Sequence, residues 1–251
     1  MKRVLRNLSL LLIMFAISSS CLLAQYVVVQ YRSVPQENVG EFLHRETNYW
    51  SKVAQKAIDE GKLSSWALWQ KVGGWDLPNG SNFMFVNVFA EKAHLDDMGT
   101  IWGAASDMFP DLPMSSISTN DLGTTNHQMV LVGVAGEGEG PPNYVRINYA
   151  KASDITRYLE LEQNTWGPFV KERMESGNTD VKTWRLAQVM MPAGTDLPFN
   201  ALTADGFDKL SDAMVPAGTF AEGTEFPDLT ELNEVHEKVY IQVYALVKSV
   251  N

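Results

Sequence analysis

The sequence predicts an α+β fold in which one βαββαβ unit occurs twice. Segments with the patterns of strands and helices follow one another in the same order in both halves of the 251-residue chain. A motif in which Glu, Asn and Trp stand two residues apart, with a glycine eleven residues beyond the Trp, also recurs: Glu46, Asn48, Trp50 and Gly61, then Glu162, Asn164, Trp166 and Gly177. A repeat of this length decides the architecture before any other signal does, so the two halves are predicted to fold alike.

The first half is predicted to contain a strand, a helix, two strands, a helix and a strand. A β-branched and aromatic run begins at Tyr26, and apolar residues then recur every three or four positions from Val39 to Ile58, the spacing of an amphipathic helix. Residues 99–126 are rich in Ser, Asp, Gly and Pro and are predicted to form a long loop. The other predicted elements are strands at residues 65–72, 83–90 and 127–135 and a short helix at residues 93–98.

The second half repeats this order after GEGEGPP, residues 136–142, whose composition is typical of a linker. Its predicted elements are strands at residues 144–150, 181–191, 199–207 and 238–247, a long helix at residues 153–176, a short helix ending at residue 214 and an insertion at residues 215–233. The sequence therefore predicts two units, residues 25–135 and residues 143–251.

The first 24 residues have the pattern of a secretory signal, with a basic start at Lys2, Arg3 and Arg6, an apolar run and small residues before Ala24. We expect cleavage after Ala24 and an exported protein, periplasmic or secreted; a lipoprotein acylated at Cys21 is the alternative. Since Cys21 is the only cysteine, the mature chain has no disulfide, thiolate nucleophile or cysteine metal site. The apolar run is too short for a mature membrane span.

The mature chain is strongly acidic. Loss of three of the 20 basic residues leaves 17 against 30 acidic residues, a net charge of −13. Nucleic acids and anionic membranes attract clustered Lys and Arg, so neither is an expected partner.

Two βαββαβ units correspond to two ferredoxin-like folds, each a four-stranded sheet with both helices on one face. Each sheet has a second face to cover, so we expect the two units to pack sheet to sheet within one monomeric chain. The sequence resembles the dimeric α/β-barrel superfamily, in which units pair in this way, and more narrowly a group of exported bacterial proteins with Glu and Trp on the first helix and a Trp on the following strand.

The resemblance implies relatives that are cofactor-independent monooxygenases, isomerases or lyases, and others that handle haem. Members of the narrower group often carry a His shortly after the helix Trp, where this chain has Val53 or Ala54. Haem-degrading relatives use Asn, Trp and His; here His94 lies in the corresponding helix but Gln30 stands in place of the strand Asn. No haem activity is therefore carried over, and no cofactor is assigned.

Glu46 and Glu162 are the first candidate site residues, because each interrupts the apolar stripe of its helix. A buried carboxylate must be paired, protonated or exposed to a wet cleft. Either the two residues are an acid/base or cation-binding pair, or they hydrogen-bond to the sheet as a structural device. Trp50 and Trp166 lie one turn further on; they either stack on an aromatic or sugar-like ligand or belong to the core.

Polar residues on the strands are the second candidate set. If the Val/Ile/Tyr face of the first strand in each half contacts the helices, the opposite face points into the barrel and orients a small polar or anionic ligand. The alternative is a satisfied polar network between the units. The residues concerned are Gln70, Gln188, Arg146 and Asn148.

No pair among the four histidines has metal-ligand spacing, and no nucleophile motif is present, so the sequence assigns neither a metal site nor a catalytic residue. Three functions follow as hypotheses. The first is binding of a small organic ligand in the barrel or between helix and sheet, and the second is an enzyme of the superfamily's types. The third is an envelope interaction protein that uses the insertions at residues 99–126 and 215–233.

Overall fold

A closed eight-stranded barrel forms the centre of the protein. The computed structural model describes residues 25–73, 80–89, 91–215 and 219–251, so the predicted signal segment lies outside the described residues. All strand pairs are antiparallel, in the order β1-β3-β2-β8-β5-β7-β6-β4. The strands are β1 (Tyr26–Ser33), β2 (Ser65–Lys71), β3 (Phe83–Phe89), β4 (Thr124–Glu137), β5 (Tyr144–Ala152), β6 (Thr183–Met191), β7 (Ala201–Phe207) and β8 (His236–Val250).

Two long helices cover the outside of the barrel, and each contains a central π-helical turn. Helix α1 runs through Val39–Arg45, the π-helical Glu46–Trp50 and Ser51–Asp59. The shorter helices are α2 (Met98–Gly103), α3 (Ala105–Met108), α4 (Met114–Ile117), α6 (Leu210–Met214) and α7 (Thr230–Val235). Helix α5, the counterpart of α1, runs through Ile155–Leu161, the π-helical Glu162–Trp166 and Gly167–Ser176.

Strand pairing joins the two halves of the barrel. Within the halves the orders are β4–β1–β3–β2 and β8–β5–β7–β6, and the halves meet at β2–β8 and β4–β6. The expected sheet-to-sheet pairing of the halves thus takes the form of one continuous barrel, which hydrogen bonds close at these two junctions. The closure is possible because β4 and β8, with 14 and 15 residues, extend beyond their neighbours in their own half.

The regions predicted as loop and linker are more regular than expected. Residues 99–126 contain α2, α3 and α4 as well as the start of β4. Ile101, Ala105 and Ile117 are buried there, the last two against Val53 of α1, and apolar burial of this kind stabilises the short helices. Similarly, the first two residues of the predicted linker belong to β4 and pair with β6.

In each half, one asparagine side chain hydrogen-bonds to the backbone at the end of the first strand, β1 or β5. Asn82 accepts a hydrogen bond from the Val34 backbone N–H and donates one to the Val34 carbonyl, both at 2.8 Å. Asn200 makes the same two bonds to Ala152, at 2.8 and 2.9 Å. These side chains satisfy backbone groups that would otherwise be buried without partners.

Candidate functional site

Side chains on each strand alternate between the barrel interior and the surface under the helices. The interior cluster draws on all eight strands and includes Val29 and Tyr31 of β1 and Ile147 and Tyr149 of β5. The Val/Ile/Tyr face of these strands therefore points inward, and separate clusters pack between the sheet and the helices of each half.

The polar strand residues face the helices. The expectation that Gln70, Gln188, Arg146 and Asn148 point into the barrel depended on the Val/Ile/Tyr face contacting the helices, and this condition is not met. The Val/Ile/Tyr face lies inside the barrel, so alternation along the strands places these four side chains on the outer face. There Arg146 and Asn148 both donate to Asp205, at 3.2 Å each.

The barrel interior contains a cavity of about 880 Å³. Its walls are mostly small apolar side chains, including Val27, Val86, Val145, Leu202 and Ala204. Ligand pockets commonly measure 300–1,000 Å³ and have mainly apolar walls with a few polar groups. The cavity therefore has the size and chemistry of a site for a small organic molecule.

Aromatic residues close the inner end of the cavity. Trp69 and Tyr31 line this end, and the Tyr31 hydroxyl lies 2.7 Å from the Tyr149 hydroxyl. Phe199 packs edge-on against Tyr149, with 4.8 Å between the ring centroids. The Tyr31 hydroxyl, backed by that of Tyr149, is thus the polar group at this end, whereas the charged lining residues, such as Lys171 and Arg185, lie at the opening.

The opening of the cavity lies beside α5 and the glycine-rich segment after β4. Lys171 of α5 is paired with Glu175 at 2.9 Å and with Glu137 at 3.3 Å. Arg185 donates to the carbonyls of Gly138 and Trp184, each at 2.8 Å. Both cations at the opening are therefore held by groups of the protein itself.

Glu46 begins the π-helical turn of α1 and is only 4 % exposed. Its Oε1 accepts a hydrogen bond of 2.6 Å from the Thr119 hydroxyl, which in turn accepts one of 3.0 Å from Arg32. Burial raises the pKa of Glu46 to about 7, and the Thr119 hydrogen bond and the charge of Arg32 oppose this shift. Glu46 thus ties α1 to β1 and to the segment before β4.

Glu162 occupies the same place on α5 but has different partners. It is 6 % exposed, Tyr158 one turn earlier is its hydrogen-bond partner, and its Oε2 makes no hydrogen bond to any described residue. Burial raises the pKa of Glu162 to about 7; the Tyr158 hydrogen bond lowers it and the nearby Asp205 carboxylate raises it. At neutral pH a substantial fraction of this carboxyl is therefore protonated, in contrast to an exposed glutamate.

Asp205 of β7 lies under α5 and is bound by polar side chains of the neighbouring strand β5. Arg146 Nη2 donates to its Oδ2 at 3.2 Å, and so does the Asn148 side-chain amide, also at 3.2 Å. The guanidinium of Arg146 also lies over the Phe207 ring, 4.9 Å from its centroid. Arg146 and Asn148 are thus members of a paired network between sheet and helix.

The two helix tryptophans also lie outside the cavity. Trp50 donates its indole N–H to the Ile117 carbonyl at 2.8 Å and packs edge-on against Trp102. Trp166 packs against Phe169 and Phe220. Together with Glu46 and Glu162, they are absent from the walls of the barrel cavity.

Comparison with solved structures identifies the fold of the chain. No protein-family model and no curated protein matches the sequence. A solved anthrone oxidase-like protein matches with a TM-score of 0.56 and 11 % identity, over 91 % of this chain and 93 % of its own. A monooxygenase-like protein from Fusobacterium nucleatum matches with a TM-score of 0.57 and 9 % identity, over 91 % and 94 %.

The chain has the dimeric α/β-barrel fold. At identities this low the likeness concerns the fold alone, so function must be argued from the cavity and its side chains. Within the described part of this dimeric α/β barrel, no three His, Cys, Asp or Glu residues are grouped as metal ligands. The same residues include no helix long and apolar enough to cross a membrane.

A second, polar cavity of about 750 Å³ lies outside the barrel near the end of β1. Several of its side chains are already bonded within the protein: Asn38 donates to the Leu122 carbonyl at 3.1 Å, and Asn82 binds the Val34 backbone. We therefore take the barrel cavity as the candidate site of the dimeric α/β barrel.

Analysis of the sequence did not find the residues that line the cavity. Tyr31 and Tyr149 occupy equivalent places in YVVVQY and YVRINY, and this match was a usable signal. The sequence does not decide whether that face meets the helices or the barrel interior, because a Val/Ile/Tyr face resembles a core face in any antiparallel sheet.

Proposed function

We propose that the protein binds a small, largely apolar organic molecule inside its barrel. The observation that carries this proposal is the apolar cavity of about 880 Å³, which reaches the surface beside α5. Burial of apolar surface there gives a favourable free energy of about 25 cal/mol per Å² before the costs of association. Trp69 offers an aromatic surface to the ligand, so a planar ring system fits the site best.

Naphthalene is a suitable probe, because it contains only apolar ring surface. We expect saturable one-to-one binding, measured by calorimetry or by the fluorescence of the probe. The variant Ala204→Trp places a large ring in the cavity and should weaken binding at least tenfold, whereas Ala221→Trp changes an exposed residue outside the barrel and should not. Equal binding by both folded variants, or no binding by the unmodified protein, would refute the proposal.

An enzyme of the cofactor-independent monooxygenase type is the second candidate. The structural neighbours described as anthrone oxidase-like and monooxygenase-like support it, as does the pair of hydroxyls at the inner end of the cavity. Oxygen uptake with anthrone, compared with Ala204→Trp and with a protein-free blank, tests this candidate. Uptake no faster than in either control would refute it.

We further propose that the chain consists of two duplicated ferredoxin-like units, residues 25–135 and 143–251, within one monomer. The equal strand order of the halves and the matched roles of Asn82 and Asn200 support this proposal. Circular permutation with new ends at residues 139 and 140 should leave a folded barrel. Loss of folding after permutation would count against two separable units.

Export after removal of residues 1–24 is likewise a proposal, supported by the signal-like pattern of the sequence. Mass spectrometry of the protein from a bacterial envelope and medium should give a chain starting at Gln25. A mass that retains the first 24 residues would refute cleavage, and a lipid-modified Cys21 would support the lipoprotein alternative.

A further inference from the structure

Two equivalent tyrosines meet across the barrel axis and form the floor of the cavity. Tyr31 of β1 and Tyr149 of β5 are 118 positions apart, and their hydroxyl oxygens lie 2.7 Å apart. Tyr31 lines the cavity, whereas Tyr149 is 0 % exposed and lies beyond its wall. A ligand at the inner end of the cavity therefore encounters the Tyr31 hydroxyl backed by a second phenol.

A third tyrosine continues this row to the other end of the barrel. Tyr240 of β8 pairs directly with Tyr149, and the two rings stack with centroids 4.2 Å apart. Tyr240 is 44 % exposed. Burial raises the pKa of Tyr240 to about 12. The row Tyr31–Tyr149–Tyr240 thus joins a hydrogen-bonded pair to a stacked, partly exposed ring at its far end.

We propose that the barrel binds a hydroxyl-bearing aromatic ligand whose hydroxyl forms a hydrogen bond with Tyr31 at the inner end of the cavity. This inference rests on the proposed binding of a ligand in the barrel. In the Tyr31–Tyr149 bond either hydroxyl can donate, so the free position of Tyr31 is a donor in one arrangement and an acceptor in the other. A hydroxyl suits both arrangements, whereas a carbonyl or an ammonium group suits only one.

The surroundings favour neutral phenols in this row. Burial raises the pKa of both Tyr31 and Tyr149 well above the ordinary value, with the neighbouring Tyr244 adding to the rise. His127 lies on the strand beside Tyr31, with ring centroids 6.3 Å apart. Tyr244 is itself buried in the same interior cluster.

The hydrogen bond is tested with naphthalene and 2-naphthol, which differ by one hydroxyl. We expect 2-naphthol to bind about threefold to tenfold more tightly than naphthalene, the ratio that one net neutral hydrogen bond provides. Tyr31→Phe should remove this preference and leave naphthalene binding intact. Naphthalene binding without any preference for naphthol overturns this inference alone, whereas failure of both probes to bind overturns the proposed function as well.

Discussion

Replacement of Glu162 by glutamine should stabilise the protein relative to the unmodified chain as the pH rises from 5 to 8. Burial raises the pKa of Glu162 in the folded state from 4.5 to about 7. A folded state with a raised carboxyl pKa holds its proton more tightly than the unfolded state does. The stability that this provides is fully present below about pH 4.5 and is lost as the pH passes through about 7.

The size of the effect follows from the same shift. At ~1.4 kcal/mol per pKa unit, the change from 4.5 to about 7 corresponds to about 3 kcal/mol, of which about 2 kcal/mol is lost between pH 5 and pH 8. Glutamine does not ionise, so the variant loses none of this free energy of unfolding as the pH rises. Its amide brings a new donor to a site where Oε2 has no described partner, and that cost is the same at both pH values.

Urea unfolding followed by tryptophan fluorescence at several pH values measures this difference. The free energy of unfolding of Glu162→Gln relative to the unmodified protein should rise by about 2 kcal/mol between pH 5 and pH 8. Glu172→Gln is the matched control, since Glu172 is an exposed residue of the same helix, and it should show no such rise. A constant difference across the pH range would refute the burial argument, because Glu162 would then be ionised in the folded state without penalty.

Three further substitutions test the network under α5 and the ends of the strands. Arg146→Met leaves the buried Asp205 without its cation and should destabilise the fold by about 3–5 kcal/mol in urea unfolding at pH 7; a loss below about 1 kcal/mol would show that the pair is not needed. Gly138→Ala places a Cβ against the Lys182 carbonyl at a φ of +76°, so it should lower the thermal midpoint and loosen the cavity opening, and an unchanged midpoint would contradict this. Asn82→Ala removes two hydrogen bonds to buried backbone and should reduce the free energy of unfolding by about 2 kcal/mol, with an unaltered urea midpoint as the contrary result.

The fold was largely predictable because its signals are local and occur twice. Strand and helix patterns in the sequence correspond to the strands of the barrel and to the two long helices. A dimeric α/β barrel followed from the resemblance, but the lengths of β4 and β8 did not, because the ends of these strands have the composition of turns and linkers. Apolar contacts between α1 and residues 99–126 likewise depend on tertiary packing that composition does not reveal.

The candidate site was less predictable than the fold. The unusual burial of Glu46 and Glu162 could be inferred from their place in an apolar stripe, since helical periodicity fixes the face of a residue. The direction of the Arg146 side chain could not be inferred. Strand periodicity shows which residues share a face, but it does not show which of the two faces meets the helices. The different partners of the two glutamates could not be predicted either, because Thr119 and Asp205 come from segments that do not repeat the motif.

The position of the cavity follows from the order of side-chain sizes along the two central strands. β1 and β5 are separated by four antiparallel steps around the barrel, so they run in the same direction. The interior residues of β1 change from valine at Val27 and Val29 to tyrosine at Tyr31, and those of β5 change from Val145 and Ile147 to Tyr149. Small side chains from both strands thus meet at one end of the barrel and leave space, whereas the two tyrosines meet at the other end and fill it. Because the first strand of each half brings the same gradient to the same end, a cavity with a phenolic floor is a direct consequence of placing two such strands in one closed barrel.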